Sequence, residues 1–378
     1  MINKNLIYIT AGEESGDMLG AEVMKALSSS RPDIKIKGIG GKKMTGEGMF
    51  PVFRTEKLGF MGFYELIRHY FVIKKAFRII SESIISDKPA AILMIDFSEF
   101  HIKLAKKIKS VLPETKIIKY VSPQIWASRP KRIKDIVRFY DCLCCILPFE
   151  KELYKDHKID CRFVGHPLLD KYRINLLYDE FIQKFGLSEE KTLISIFPGS
   201  RKQEISKHMP VIKDFIEVIK SRHDIELIIC RSSNIKESTL KKYDLPGLVR
   251  IISSEYQWEI MSYSGIVLCK SGTSTLQTAI VETPSIVFYK VNPISFLIAK
   301  MIVKTKYISL PNIIAGKQIN PELIQSEFTS ENLVSQVNTL LNNDDIYNLR
   351  KNELKAVSKL LGEQGASVKV AAAVLDYI

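Results

Sequence analysis

Two separate segments of the chain carry residue types that suit the binding of a diphosphate. The first is the sequence FPGSR from Phe197 to Arg201, and the second is KSGTSTLQ from Lys270 to Gln277. Each combines the end of a short apolar strand, a turn of small residues and the start of a helix-forming run. Backbone N–H groups in such turns and at helix N-termini attract anions. The pair therefore predicts a diphosphate site, which points to a sugar nucleotide and to a glycosyltransferase.

The side chains of these two segments strengthen that prediction. A guanidinium is always charged, and its planar fork matches the oxygens of a phosphate. A lone arginine after a strand is ordinarily a surface residue, but small turn residues precede Arg201 and a helix follows it. The predicted helix Thr273–Val281 offers unpaired N–H groups and the positive end of a dipole. The predicted donor-binding residues are Gly199, Ser200, Arg201, Gly272, Thr273 and Ser274.

Asp96 is a candidate general base because it ends the apolar run from Ile92 to Ile95. A carboxylate at the end of a strand can accept a proton from an attacking hydroxyl. It can equally cap the helix that follows, and the local pattern leaves both roles open. The nearby His101 lies inside that helical run, which favours a packing role for its ring.

The loop from Ala11 to Asp17 follows the first predicted strand and opens a helix. Gly12 and Gly16 allow the backbone to approach a ligand closely, and Ser15 can cap the helix. The acidic side chains of this loop argue against a phosphate and favour sugar hydroxyls. A plain capped turn is an equal alternative on the local pattern.

An apolar segment with two glycines, Leu58–Tyr64, precedes a run of mixed basic and aromatic residues that ends at Arg78. That combination suits an amphipathic helix on an anionic bilayer, or a pocket for acyl chains. An ordinary buried core helix is the alternative. Stacking of these aromatic rings on nucleic acid is less favoured, because no nucleic-acid-binding motif surrounds them.

The 378 residues are too many for one ordinary core, so two domains are expected. The chain has 55 basic and 42 acidic residues and a net charge of +13. Nucleic acid, an anionic membrane surface or an anionic substrate would each explain this excess, and a lysine-rich proteome would explain it without any partner. No secretory signal is visible at the N-terminus.

No apolar run reaches the ~18 residues of a spanning helix; Ile294–Val303 comes closest, and Lys300 interrupts it. We therefore expect a cytoplasmic protein that can be peripheral to a membrane. Cys142 and Cys145 have the spacing of a metal or redox pair, but they lie in an apolar run typical of a buried strand. They are predicted to be buried free thiols, and no metal site is expected.

Two consecutive series of strands alternate with helices along the chain, which predicts an α/β fold with two doubly wound domains facing a cleft. Continuous apolar runs are typical of parallel strands buried on both faces. The first series has strands at Leu6–Thr10, Ala91–Ile95, Lys116–Val121 and Cys142–Leu147. The second has strands at Thr192–Phe197, Glu226–Cys230, Val249–Ile252, Ile266–Cys269 and Ser285–Phe288. The predicted domains are residues 1–168, joined by C-terminal helices from 350–378, and residues 169–349.

The chain resembles the lipid-A-disaccharide synthases, inverting glycosyltransferases of the two-domain Rossmann-like architecture called GT-B. Each shared motif is weak alone, but together and in order they are specific. They are Ala11-Gly-Glu-Glu-Ser-Gly-Asp17, Met61-Gly62 with Glu65, Ile95-Asp96, Tyr120-Val-Ser-Pro-Gln-Ile-Trp-Ala127, Leu147-Pro-Phe-Glu-Lys151, Phe163-Val-Gly-His-Pro167, Pro198-Gly-Ser-Arg201, Ser271-Gly-Thr273, Ser309-Leu-Pro-Asn-Ile-Ile-Ala-Gly316 and Pro321-Glu-Leu-Ile-Gln325.

The resemblance implies a definite reaction without a metal or another cofactor. UDP-2,3-diacylglucosamine donates its sugar to 2,3-diacylglucosamine 1-phosphate, which forms a β-1,6 linkage and releases UDP. It implies that Asp96 is the general base and that Arg201 and Asn312 serve the diphosphate region. The residues implied for the acceptor and its acyl chains are Gly12, Ser15, Gly16, Met61, Gly62 and Glu65. The implied location is the cytoplasmic face of the inner membrane, with an anionic membrane surface as partner; an oligomer stays open.

The chain departs from the family pattern at three places. His101 stands where the family usually has Asn, Ser128 where it has Trp, and Gln277 where Glu is usual. In many sugar-nucleotide enzymes that Glu accepts hydrogen bonds from ribose hydroxyls, and Gln277 can accept them without the charge. Donor and acceptor preference are therefore more open than the class of reaction.

Two other functions are weighed against this one. The first is a UDP-N-acetylglucosamine epimerase or another UDP-sugar transferase of the same fold, for which the apolar segment Leu58–Tyr64 would have no use. The second is a basic protein that binds nucleic acid or a membrane surface without catalysis.

Overall fold

The computed structural model describes residues 2–58 and 65–378, with the backbone alone described at 57 and 65–69. Three residues that the sequence assigns to acyl-chain binding are affected. Met61 and Gly62 lie outside the described residues, as does the side chain of Glu65.

The chain forms two compact units, Met1–Asp170 with Leu361–Ile378, and Lys171–Leu360. The sequence places the boundary after residue 168 and assigns 350–378 to the first domain. In the structure the segment up to Leu360 packs in the second unit, because Leu354 and Val357 share a core with Ala279 and Ile319. The chain therefore re-enters the first unit at Leu361, and not at residue 350.

The strands and helices follow one another in the alternating order expected of an α/β protein. The strands are β1 (Asn3–Ala11), β2 (Lys35–Gly40), β3 (Phe50–Arg54), β4 (Pro89–Ile95), β5 (Lys116–Tyr120), β6 (Cys142–Cys145), β7 (Asp160–Phe163), β8 (Thr192–Phe197), β9 (Ile225–Arg231), β10 (Val249–Ser253), β11 (Ile266–Lys270), β12 (Ser285–Tyr289) and β13 (Glu322–Ile324). The α-helices are α1 (Glu14–Ser30), α2 (Lys42–Gly46), α3 (Glu65–Asp87), α4 (Ser98–Val111), α5 (Ile133–Phe139), α6 (Glu150–Leu153), α7 (Tyr178–Phe185), α8 (Lys202–Ile219), α9 (Glu237–Lys241), α10 (Gln257–Tyr263), α11 (Thr273–Ile280), α12 (Pro293–Ile302), α13 (Leu310–Ala315), α14 (Ser330–Leu341), α15 (Asp344–Leu360) and α16 (Ala366–Leu375).

The first unit is built on a parallel sheet with strand order β3-β2-β1-β4-β5-β6-β7. Every residue of β4 is buried, as expected for a strand covered on both faces. The strand order reverses between β1 and β4, where Ala11 pairs with Ile95. The loops that begin at Gly12 and Asp96 therefore leave the same sheet edge side by side, which is where parallel sheets bind ligands.

The second unit repeats this arrangement with strand order β10-β9-β8-β11-β12-β13, again parallel throughout. The order reverses between β8 and β11, where Phe197 pairs with Cys269. The turn at Pro198 and the turn after Lys270 are therefore neighbours. The predicted pair of parallel α/β domains is confirmed.

Hydrophobic side chains fill both faces of each sheet. In the first unit, Val370 and Val374 of the last helix, α16, join Met24 and Leu27 of α1 in one core. Within the described part of the chain, no helix combines the length and the apolarity that crossing a bilayer would take. The cysteines are free thiols, and five of the six are buried while Cys161 is half-buried.

Candidate active site

The turn that carries Asp96 has an uncommon backbone conformation. Asp96 and Phe97 have φ values of 50° and 48°, in the left-handed region that residues other than glycine rarely adopt. Asp96 itself is exposed, although the strand before it is buried. A strained turn persists only where its surroundings hold it.

Neighbouring elements hold the Asp96 backbone. Its N–H donates to the carbonyl oxygen of Tyr120 over 3.0 Å. Its own carbonyl oxygen accepts from Lys119 Nζ and lies 2.7 Å from Nδ1 of His101. On the other side of the ring, His101 Nε2 lies 3.0 Å from Thr10 Oγ1. Groups from β1, α4 and β5 thus fix the backbone and leave the carboxylate at the surface.

Lys119 and His101 are buried beneath this turn. Burial lowers the pKa of Lys119 to about 7. Burial, together with the nearby Lys119 charge, lowers the pKa of His101 well below its ordinary value. His101 is therefore neutral at pH 7 and acts as a hydrogen-bonding group, where the sequence favoured packing alone. The sequence contained one indication of this role for Lys119, because it is a lysine inside an otherwise apolar predicted strand.

The first loop touches the Asp96 turn directly. The Phe97 ring lies against Gly12 so closely that a Cβ at that position would overlap it. A Cβ at Gly16 would lie 3.0 Å from the Cβ of Ala11. Glycine at 12 is therefore required by the aromatic ring that follows the candidate base.

Ser15 is exposed in the first turn of α1. The expectation that Ser15 caps this helix is wrong, because the helix begins at Glu14 and its N-cap is Glu13, which makes no side-chain cap hydrogen bond. The Ser15 hydroxyl is presented at the same sheet edge as Asp96.

The turn after β8 is organised by Glu204, which the sequence did not single out. Glu204 Oε2 accepts from the backbone N–H groups of Ser200 at 2.9 Å and Arg201 at 3.2 Å. Burial works to raise the pKa of Glu204, but the charge of Lys270 and these N–H groups outweigh it and lower the pKa. The expectation that this turn offers backbone N–H groups to a phosphate is therefore wrong for these two, because a carboxylate of the chain already occupies them.

Glu204 also explains the glycine of this turn. Gly199 has φ 130°, and a Cβ there would lie 2.6 Å from Glu204 Oε2. The other carboxylate oxygen lies 3.2 Å from Lys270 Nζ at the end of β11. One buried acid thus joins the two turns that the sequence predicted to act together.

His208 anchors the same turn from below. Its Nδ1 lies 2.7 Å from the carbonyl oxygen of Pro198, and its Nε2 accepts from the N–H of Lys290 at 3.1 Å. This pattern fixes the proton on Nδ1, and burial lowers the pKa of the ring. His208 is a neutral positioning group whose partners are distant in sequence, so no local pattern reveals it.

A cavity of about 350 Å³ opens between the two turns of the second unit. It is lined by four of the predicted donor residues, Gly199, Ser200, Thr273 and Ser274. Lys270, which opens the second predicted segment, also lines it, together with four polar residues that the sequence did not point to: Ser232, Ser233, Ser254 and Gln257. Thr273 and Ser274 of this wall are the first two residues of α11, where backbone N–H groups lack a partner within the helix. The Arg201 side chain is exposed at the start of α8.

Residues 7–374 match the family model described as Lipid-A-disaccharide synthetase. The chain belongs to this family. It is 35% identical over 369 residues to the lipid-A-disaccharide synthase of Persephonella marina, with 95% of each chain covered. It is 32% identical over 375 residues to that of Trichlorobacter lovleyi, covering 98% of this chain and 97% of the relative. This lipid-A-disaccharide synthase family consists of glycosyltransferases, so the chain is an enzyme of that class.

Solved structures show the same architecture at low sequence identity. The glycotransferase of kitacinnamycin has a TM-score of 0.66 and 11% identity, with 99% of both chains covered. A UDP-N-acetylglucosamine 2-epimerase of Listeria monocytogenes has a TM-score of 0.65 and 14% identity, covering 99% of this chain and 97% of that one. The likeness to epimerases is one of fold, and the synthase family membership does not favour the epimerase alternative.

Two residues that resemblance to the synthase family implied as ligands are buried. Gln277 is buried in α11 and is not among the residues that line the cavity. Asn312 is committed to its own loop: its Nδ2 donates to the Asn320 carbonyl oxygen and to Glu322 at 2.8 Å each. Its Oδ1 accepts from the N–H groups of Ile319 and Asn320. These four hydrogen bonds engage the whole amide, so the side chain shapes the loop that follows α13.

Proposed function

We propose that this protein transfers 2,3-diacylglucosamine from UDP-2,3-diacylglucosamine to the 6-hydroxyl of 2,3-diacylglucosamine 1-phosphate. The products are the β-1,6-linked lipid A disaccharide 1-phosphate and UDP. The observation that carries this proposal is an exposed carboxylate, Asp96, on a rigidly held turn in a chain of the lipid-A-disaccharide synthase family. The first unit would hold the acceptor and its acyl chains, and the second would hold the UDP-sugar.

Asp96 would act as the general base. Its carboxylate takes the proton of the acceptor 6-hydroxyl while that oxygen attacks the anomeric carbon of the donor. The bond from that carbon to the β-phosphate oxygen of UDP breaks on the opposite face, which inverts the configuration. Fixing the Asp96 backbone from three elements reduces the entropy that a mobile base would lose.

The second unit would stabilise the negative charge that develops on the departing UDP. The Arg201 guanidinium, the Lys270 ammonium and the N-terminus of α11 supply positive charge at the two turns. The cavity hydroxyls of Ser232, Ser233 and Ser254 are suited to the ribose and the phosphates. Gln277 and Asn312 would act by shaping this wall.

The acceptor region would include Gly12, Ser15 and Gly16, together with Met61, Gly62 and Glu65. Gly12 brings the first loop against the Phe97 ring of the Asp96 turn, and Gly16 lets the start of α1 pack closely on Ala11. Ser15 lies between these two glycines and is exposed. Because both substrates are anionic and diacylated, the enzyme would work as a peripheral protein on the cytoplasmic face of the inner membrane. The net charge of +13 supports attraction to that surface.

The test is UDP release from UDP-2,3-diacylglucosamine, measured with and without 2,3-diacylglucosamine 1-phosphate, with the product identified by mass. Release that depends on the acceptor is expected. Bound UDP without turnover would refute the proposed reaction and leave only the donor site. Conversion of unacylated UDP-N-acetylglucosamine would instead support the epimerase alternative.

A further inference from the structure

Helix α12 of the second unit has no buried residue, although seven of its ten residues are apolar. Three of its side chains are largely exposed: Ile294 at 71%, Leu297 at 61% and Met301 at 73%. A helix of ten residues is marginal in water on its own, and surface helices ordinarily bury an apolar face. The folded chain leaves that face of α12 without cover.

The exposed apolar side chains share one side of the helix. Ile294, Leu297, Ile298 and Met301 follow the i, i+3, i+4, i+7 spacing that places residues on a single face. Phe296, on the other side, is half-buried. The other nine residues of α12 are exposed, so the apolar stripe is left uncovered, which marks an interaction surface.

The start of this helix is specified locally. Asn292 is the N-cap, and its Oδ1 accepts from the N–H of Ile294 at 3.0 Å. Pro293 occupies the first helical position, where its fixed φ suits a helix start. The helix start is therefore well defined, and its uncovered apolar face is suited to contact with a lipid phase or another molecule.

The charges around α12 identify the partner. Residues 283–321 contain no Asp or Glu and carry five lysines, at positions 290, 300, 304, 306 and 317. Three of these, Lys300, Lys304 and Lys306, are exposed within or just after the helix. Lysine stems can lie along apolar surface while their ammonium groups reach lipid headgroups. Apolar insertion beside clustered lysines is the chemistry of an anionic bilayer surface.

A second copy of the chain fits this surface less well. Two copies that paired through α12 would bring their lysine clusters together, and like charges oppose such an interface. An anionic bilayer would bury the apolar stripe among its acyl chains and pair the lysines with its headgroups at the same time.

We propose that α12 is a membrane-insertion element, which lies in the plane of an anionic phospholipid bilayer with Ile294, Leu297, Ile298 and Met301 among the acyl chains. This inference rests on the proposed function only in that the substrates of that reaction are membrane lipids. It places a lipid contact in the second unit, whereas the sequence pointed to the apolar segment near residue 60 of the first.

The test uses the full chain and vesicles of phosphatidylglycerol and phosphatidylethanolamine, with phosphatidylcholine vesicles as the neutral comparison. The triple variant I294S/L297S/M301S is compared with a matched control, L177S/V218S/L349S, which removes three similarly exposed apolar side chains of the same unit. Cosedimentation is expected to fall about tenfold or more in the α12 variant, because each inserted side chain contributes to partitioning. The control is expected to bind as the parent protein does.

The charge contribution is tested with K300Q/K304Q/K306Q against K351Q/K355Q/K359Q, whose lysines are exposed on α15. The first set is expected to reduce binding to the anionic vesicles by about fivefold for each lysine that lies near the surface. It is expected to leave the weaker binding to phosphatidylcholine unchanged. Equal loss in both sets would mean that general charge attraction suffices, which overturns the role of α12.

Substrates dispersed in detergent test the transfer reaction without any need for membrane binding, so the role of α12 and the proposed reaction can fail separately. The α12 variant is expected to keep the turnover of the parent protein there, and to lose it only when the substrates are embedded in vesicles. Parent protein that turns over dispersed substrates but does not bind anionic vesicles would overturn the inference and leave the reaction standing. A parent dimer that the serine variant converts to monomer, with unchanged vesicle binding, would instead make α12 an interface between copies.

Discussion

The residue that most directly reports the chemistry is Asp96, whose backbone is fixed while its carboxylate is exposed. Replacement by Asn keeps the size of the side chain and removes its basicity. We expect Asp96→Asn to lower kcat by about 10²- to 10⁴-fold, the usual contribution of a general base. UDP affinity, measured by calorimetry, should stay unchanged, because the donor residues are in the other unit.

The matched control for this variant is Glu114→Gln, which removes an exposed carboxylate from the same unit. It should retain full activity. If Asp96→Asn weakens UDP binding and turnover to the same degree, Asp96 has a structural role and is not the base.

Arg201 is expected to contribute directly to UDP binding. Removing its exposed guanidinium should weaken UDP binding by about 1.5–3 kcal/mol, the range for a hydrogen bond to a charged group. Calorimetry on Arg201→Ala measures this directly. Lys202→Ala removes the adjacent exposed cation and should have little effect, so equal weakening in both variants would indicate general electrostatics and no specific contact.

Glu150 is expected to make the free energy of unfolding depend on pH. Its buried carboxylate accepts from the Trp126 indole N–H and from the N–H groups of Ile146 and Leu147. Burial raises its pKa to about 7 from an ordinary 4.5. The folded state therefore holds this proton more tightly than the unfolded state, so the stabilisation is complete below pH 4.5 and is lost as the pH rises towards 7.

We expect the free energy of unfolding to fall between pH 4.5 and 7 by up to about 3 kcal/mol from this group. Glu150→Gln should lack that slope. Urea unfolding of both proteins at pH 5, 6, 7 and 8 measures the difference, and parallel profiles would exclude Glu150 as its source.

At the scale of elements, β5 and α4 support the turn that ends β4. Lys119 and His101 come from these two elements and meet at the Asp96 carbonyl oxygen. We expect Lys119→Met to lower kcat about tenfold, because a base held less firmly spends less time in reach of the acceptor. KM for the donor should change little.

The free energy of unfolding distinguishes this positioning role from a structural one. Methionine removes a buried ammonium whose desolvation is costly, so the variant should be at least as stable as the parent in urea. Lower kcat with preserved stability supports positioning, and a parallel loss of both would show that Lys119 serves the fold alone.

The central strands could be predicted from the sequence because parallel strands buried on both faces are continuous apolar runs, as in β4 and β8. The strands β2, β3, β7 and β13 were missed. They are short, partly polar or only partly buried, and three of them are sheet edges, where a strand needs fewer apolar residues. Their pairing depends on the rest of the sheet.

In the site too, features with a local sequence pattern could be predicted, and contacts between distant residues could not. Gly199 and Gly272 could be predicted because small-residue turns after strands are visible locally, and both have φ above +120°. The capping role of Glu204 had a partial local signal, since an acid at the third helical position can accept from the N-cap backbone N–H, as in one half of a capping box. Contacts such as His208 with Lys290 join distant parts of the chain, so no local pattern contains them.

At the scale of the whole molecule, the chain passes from the first unit to the second after Asp170 and returns at Leu361. The returning segment is bound firmly. Arg162 pairs with Asp376, and Gly365 N–H donates to Asp170 Oδ1 at 2.6 Å. The last helix, α16, thereby completes the first unit with residues from the end of the sequence.

That return imposes an order on biosynthesis. A ribosome finishes the strands of the first unit early, but it supplies Val370 and Val374 of α16 only after the whole second unit has been made. At about 5–20 residues per second, residues 171–360 take roughly 10–40 s. During that interval the apolar side of α1 lacks the cover that α16 later provides, so we expect chaperones that act during translation to bind the nascent chain there.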